Sequence, residues 1–203
     1  MTGTRDRILD AALHVMRTRG FARTTTKEIA RAAGYSEATL YKHFQDKADL
    51  FLAVLKERLP SIGPVISGLA ADVGAGVLRD RLEATARGAI TFYEASFPIS
   101  ASIFSEPDLL AAHRAAMAQH GAGPHWPVQA LAAYLRAEQE RGRIRPGADC
   151  DAAAALLLGA CLQYAFLRCF SQLPPDPDAT AAHATSLVST LLPALTPPSA
   201  TPS

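Results

Sequence analysis

Apolar positions along this chain recur every three to four residues and almost nowhere alternate, which is the helical rather than the strand period. Ile8, Ala12, Val15 and Met16 form one stripe and Gly20 follows as a stop signal, predicting a first helix over about 4–19. Thr25 and Glu28 have the spacing of a capping box, in which hydroxyl and carboxylate each take a backbone N–H. A short second helix is therefore expected over 26–33, burying Ile29 and Ala30 and ending at Gly34. Ser36 is the cap of a third, expected to run through Phe44 with Leu40 and Phe44 inward. Asp46 caps a fourth, whose apolar side is Leu50, Phe51, Val54, Leu55 and Leu59, stopped by Pro60. Residues 61–76 are punctuated by Gly and Pro and read as a linker with a helical turn or two. Further helices are expected over about 77–96, 108–120, 126–141, 150–170 and 179–192, with breaks at Pro98, Pro107, Gly142–Gly147 and the Pro174, Pro175, Pro177 turn. The Pro-rich end, 194–203, is expected to be disordered. The pattern predicts an all-α fold: a small N-terminal helical domain over 4–64 and a larger helical domain over 65–193.

Composition changes this picture in one respect. A 203-residue chain that is 49% hydrophobic and 19% charged excludes wholesale disorder. Its net charge of +1 hides an asymmetry, since residues 1–58 hold eleven Lys and Arg against seven Asp and Glu, or +4, leaving −3 for the rest. All four lysines, Lys27, Lys42, Lys47 and Lys56, lie in that basic head, which points to an anionic partner there. Cys150, Cys161 and Cys169 make neither a disulfide framework nor a CxxC zinc pair, so a reducing cytoplasm is expected. Charges at Arg5, Asp6, Arg7 and Asp10 interrupt any signal-peptide core, and the uncharged run Ala152 to Leu167 falls short of the ~20 residues needed to cross a bilayer. No membrane role is expected.

Two short helices joined through Gly34, Tyr35 and Ser36 have the proportions of a helix-turn-helix at about 27–46, whose second helix enters the DNA major groove. Gly20-Phe21, Thr24-Thr25-Thr26, Ile29-Ala30, Ala33-Gly34-Tyr35-Ser36, Thr39-Leu40-Tyr41, His43-Phe44 and Lys47 with Leu50 stand at spacings that resemble the N-terminal domain of TetR-type transcriptional regulators. The resemblance covers roughly residues 4–60. Gly142 to Ala155 is similar to the loop before the penultimate helix in many members. The resemblance implies a homodimer closed by the last two helices, a pseudo-palindromic operator, and a repressor released by a small hydrophobic effector.

Within the head, the helix starts near Thr25 and Thr26 and near Lys47 are expected phosphate clamps, because helix N-termini carry unpaired N–H groups and a positive dipole end. Tyr41 and His43 extend that surface, and Lys27 is expected to be a solvated residue or a nonspecific phosphate neighbour rather than a base reader. Sequence reading is expected from Tyr35, Ser36, Glu37, Ala38, Thr39 and Lys42: Lys42 donating to guanine, Glu37 accepting from cytosine N4, Ala38 touching a thymine methyl. Phe92, Phe104, Met117, Trp126 and Tyr164 are the candidate effector contacts, on helices expected to surround one space. His113, Met117 and His120 share a helix face with His125 nearby, yet two histidines seven residues apart chelate poorly and no carboxylate or thiolate completes a set, so no metal and no cofactor is expected. Gly74 to Gly76 lacks the third glycine and the strand of a dinucleotide site, and no P-loop, HExxH or GxSxG is present, which argues against an enzyme. The competing reading of the same head is an architectural DNA-binding protein without an effector.

Overall fold

The computed structural model describes residues 3–119 and 123–197, apart from the side chain of Ser102. Among the described residues it contains ten α-helices and a 3-10 turn, with no strand. These are α1 (Thr4–Arg19), α2 (Thr26–Ala33), α3 (Glu37–Leu40), α4 (Lys47–Glu57), α5 (Gly63–Ala71), α6 (Leu78–Ser100), the 3-10 turn Ala101–Ser105, α7 (Pro107–Gln119), α8 (Trp126–Glu140), α9 (Cys150–Phe170) and α10 (Pro177–Leu195). His120 and residues 198–203 of the expected tail lie outside the described residues.

The chain divides into two compact units, and not at one cut: Met1–Pro60 joins Ala95–Gly123, while Ser61–Glu94 joins Pro124–Ser203. The simple split after residue 64 expected from the sequence is thus interrupted by a segment that returns to the head. In the first unit the stripes of α1, α2 and α4 meet in a core containing Ile8, Leu9, Met16, Ile29, Leu40 and Phe51. Phe21 stands edge-on to Phe51, ring centroids 4.8 Å apart. Ile99, Ile103 and Leu109, from the end of α6, the 3-10 turn and α7, complete that core.

The expected third helix is cut short. Past Leu40 the N–H groups of Lys42 and His43 close on Thr39 and Leu40, three residues back, forming turns rather than helix. Downstream donors are already claimed by the next helix, since Gln45 N–H donates to Asp49 Oδ2 and Asp49 N–H to Asp46 Oδ1.

In the second unit the expected linker contains a nine-residue helix, α5. Pro64 sits in its first turn, where a missing N–H is harmless. Ile62, Ile66 and Leu69, at i, i+4 and i+7, enter the unit's core. Gly88 of α6 is the reason α5 can come so close. A Cβ there would stand 2.6 Å from Val65 Cγ2. Gly88→Ala is therefore expected to lower stability by about 1–3 kcal/mol through overpacking, despite alanine's better helix propensity. Thermal unfolding checks this, and a rise in Tm would contradict the close packing.

Pro98 reads in the sequence as a break in α6, but the helix continues to Ser100. A proline at this position cannot donate to the carbonyl four residues back. The freed Glu94 carbonyl accepts instead from Cys169 Sγ at 3.7 Å. Similarly Pro193 lies inside α10, which ends only at Leu195, a buried residue. By length and composition α9 could cross a membrane. Its 21 residues exceed the shorter uncharged run read from the sequence, but Ala153, Ala154, Leu157, Leu158, Cys161 and Ala165 are buried along one side. Burial pushes the Cys161 thiol up to about 12, so it stays a protonated core group.

Candidate nucleic-acid interface

The head is built from two short helices that local chemistry starts and stops. At α2 the capping box forms in full: Glu28 N–H donates to Thr25 Oγ1 and Thr25 N–H donates back to Glu28 Oε2. Gly34 takes the left-handed conformation, φ 78°, and Tyr35 N–H closes on the Ala30 carbonyl at 2.9 Å. Ser36 then caps α3, accepting from Thr39 N–H, with Thr39 Oγ1 2.9 Å from its hydroxyl. Only Leu40 of α3 is buried.

Several residues expected to face DNA are occupied elsewhere. Thr26 is buried and donates to Glu37 Oε1 at 2.6 Å, while Tyr41 Oη lies 3.2 Å from the same Thr26 oxygen. The Thr26 side chain is no phosphate clamp in this arrangement, and Glu37 Oε1 is already engaged. The hydroxyls of Thr25, Ser36 and Thr39 are engaged in capping. Lys47 lays its ammonium 4.1 Å from the Phe21 ring centroid. Burial pulls its pKa down, against a smaller upward pull from Glu106. The expected clamp is thus half-buried on an aromatic face. Tyr35 is half-buried under Arg7, whose guanidinium sits 5.1 Å from the ring centroid and donates to Oη at 3.3 Å.

What remains outward is a polar and basic set. Lys27, Ala38, Lys42 and His43 are exposed, Tyr41 is 49% exposed, and no carboxylate pairs with Lys27 or Lys42 among the described residues. Arg7 is a contact that sequence reasoning misses. Helical spacing places it outside the apolar stripe of α1 but cannot show that it reaches a turn 28 residues away.

Two arginines tie α1 to α4. Arg5 grips both Glu57 oxygens, at 2.6 and 2.7 Å, and Arg58 reaches Asp6 and Asp10, each at 2.7 Å. Hydrogen bonds from these arginines hold the Asp6 and Glu57 carboxyls below their ordinary values of 3.8 and 4.5. A depressed folded-state pKa gives stability that is present above the ordinary value and lost as pH falls through the depressed one. The head is expected to lose stability as pH drops below about 4.5, and Glu57→Gln should flatten that loss in a pH series of thermal melts. An unchanged profile would mean the pair contributes nothing.

Residues 8–54 match the family model described as bacterial regulatory proteins, tetR family, and residues 100–194 match the AefR-like transcriptional repressor C-terminal domain. The chain belongs to the TetR family of transcriptional regulators. Its members are regulators, not enzymes. Over 73 residues the chain is 38% identical to the HTH-type regulator YvkB of Bacillus subtilis, covering 36% of this chain and 39% of that one. Over 60 residues it is 42% identical to AcrR of Shigella flexneri, covering 30% and 28%. The chain thus spans well under half the length of these curated relatives. The solved structure of a TetR-family regulator from Mesorhizobium loti aligns over 96% of this chain and 97% of its own, with TM-score 0.68 and 23% identity. FadR of Bacillus subtilis, solved with stearoyl-CoA, aligns over 91% and 96% with TM-score 0.64 and 18% identity. These likenesses establish the TetR fold along nearly the whole chain.

The five candidate effector contacts of this TetR regulator are not gathered in one unit. Phe92 and Trp126 pack, half-buried, on the core of the second unit, as does Tyr164, whose ring stacks on His183 at 3.9 Å. Met117 is half-buried within the first unit's returning segment, and Phe104 is 79% exposed in the 3-10 turn.

Proposed function

We propose that this chain is a sequence-specific repressor that binds a pseudo-palindromic operator as a homodimer and is released by a small hydrophobic effector. The observation that carries the reading is the outward set Lys27, Ala38, Tyr41, Lys42 and His43 on one helix-turn-helix. A one-turn recognition helix meets few bases, so two copies are required, with half-sites about 34–36 Å apart or a multiple of that. By function the division is 4–64 for DNA and 65–193 for effector and dimer, although 95–123 packs with the first unit, and the setting is cytoplasmic. Phosphates sit at the starts of α2 and α4, and Lys42 carries base reading, with Ala38 beside it.

Dimerisation is assigned to α9 and α10, supported by Leu156, Leu162, Leu167 and Phe170, which α9 leaves exposed. Phe92, Trp126 and Tyr164 are the primary effector contacts, with Phe104 and Met117 as the further candidates. The likeness to FadR makes long-chain acyl-CoA a reasonable first ligand to titrate.

The test begins with selection of duplexes from a randomised pool by the purified protein, followed by a salt titration on the enriched duplex. Lys42→Ala is expected to weaken binding about tenfold and relax preference at its base pair. It should also lower the log–log salt slope by about one per subunit. No enrichment by the parent protein, or an unaltered titration in Lys42→Ala, overturns this assignment.

A further inference from the structure

The hydrogen bonds around Thr26 have a direction. Thr26 has one hydroxyl hydrogen and donates it to Glu37 Oε1 at 2.6 Å. Tyr41 Oη is 3.2 Å from the Thr26 hydroxyl oxygen, so in that pair the tyrosine must be the donor. The chain runs Tyr41 to Thr26 to Glu37. It starts at the C-cap of α3, passes through the first residue of α2 and returns to the first residue of α3. One buried threonine therefore holds both ends of the recognition helix.

That helix needs such tethers. Its four residues form about one turn, which has no stability of its own in water. Leu40 anchors its underside and the Gly34–Tyr35 turn fixes its entry, but neither sets its rotation about the Leu40 anchor. Two hydrogen bonds to one point, from opposite ends of the turn, do set it. We propose that the Tyr41–Thr26–Glu37 chain fixes the pose of α3 on α2, and that Glu37 acts on DNA as a positioning residue through Thr26 rather than by reading a base. A second consequence concerns Tyr41: with its hydrogen directed inward, its oxygen offers DNA only lone pairs, and it donates to a phosphate only when the chain opens.

The proposal rests on the DNA-binding reading of the head, and the experiment separates the two. If the parent protein enriches no duplex from a randomised pool, the DNA reading fails irrespective of this chain. With the enriched duplex and its single-base variants as probes, E37Q keeps an acceptor for Thr26 and is expected to bind within about threefold of the parent, with the same base preferences. E37A and T26V each break the chain and are expected to weaken binding roughly tenfold on every duplex alike, the size of a lost hydrogen bond to a charged group. T26S restores the hydroxyl and should restore the affinity. A base preference lost in E37Q at a single position, or parent-like binding by T26V, overturns the proposal. Should T26V fail to fold, E37Q against E37A decides it, because equal losses in both would mean that charge, not the tether, matters.

Discussion

Leu156→Glu with Leu167→Glu is expected to convert a dimer to folded monomers and to abolish operator binding. The two positions are 65% and 50% exposed, and Phe170, on the same side of α9, is 77% exposed. From Leu156 to Phe170 the strip runs fourteen residues, about 20 Å at 1.5 Å per residue. It is apolar surface left uncovered among the described residues, the condition that drives association. Burying a leucine contributes about 1.5–3 kcal/mol. A two-fold interface uses every residue twice, so the double substitution removes four burials and brings like charges together. Scaled to the part of each leucine left exposed, the lower bound is still a weakening of about a few hundredfold in self-association. Separated heads lose the effective-concentration gain of about 10² to 10⁴ that linkage provides to the second half-site. Sedimentation and a duplex titration read the two effects; the helical content should match the parent's because both sites are exposed on the subunit, while the melting temperature should fall with the lost association. A double variant that still sediments as a dimer would remove α9 from the interface.

The second large effect is expected in the second unit. Glu138 is fully buried at the end of α8, where Gly74 N–H donates to its Oε1 at 2.8 Å. Arg143 Nε lies 3.2 Å from Oε2, close enough for an ion pair although the angle makes no hydrogen bond. Arg143 also donates to the Gly76 carbonyl at 2.8 Å. One carboxylate thereby joins the loop before α6 to the turn after α8. The Tyr134 phenol beside it is pushed up to about 12, first by burial and then by the Glu138 charge. Glu138→Ala leaves the Gly74 N–H without its acceptor and the partly buried Arg143 without its counter-charge, and breaking one side of a buried pair costs about 3–5 kcal/mol. Replacing both partners, Glu138→Leu with Arg143→Met, should recover much of the loss, because removing both charges also removes the desolvation penalty. Denaturant unfolding of the three variants checks this. A single variant as stable as the parent would show that the carboxylate contributes nothing.

Much of the head is legible in the amino-acid sequence alone. Thr25 with Glu28, Ser36, Asp46 and Gly34 act on backbone groups within a few residues of themselves, so spacing alone identifies them as caps and stops. The core stripes of α1, α2 and α4 are legible for the same reason. Legibility fails where a residue's partner is distant in sequence. Glu37 and Lys42 are both polar residues on a recognition helix and turn, and nothing local distinguishes the one tied to Thr26 from the one left outward. Lys47 has the position of a clamp at a helix start, and only the fold puts Phe21 beneath it.

The all-α class, the starts of the head's helices with the ends of α1 and α2, and the family were determined by the sequence itself, because each rests on local periodicity, capping and motif spacing. Only the tertiary structure decided that α5 is a core helix, that residues 95–123 return to the first unit, and which polar side chains are inward tethers rather than contacts. The physical reason is one of range. A cap forms within one turn, whereas the environment of a hydroxyl, an ammonium or a buried carboxylate is made by residues that only the folded chain brings together.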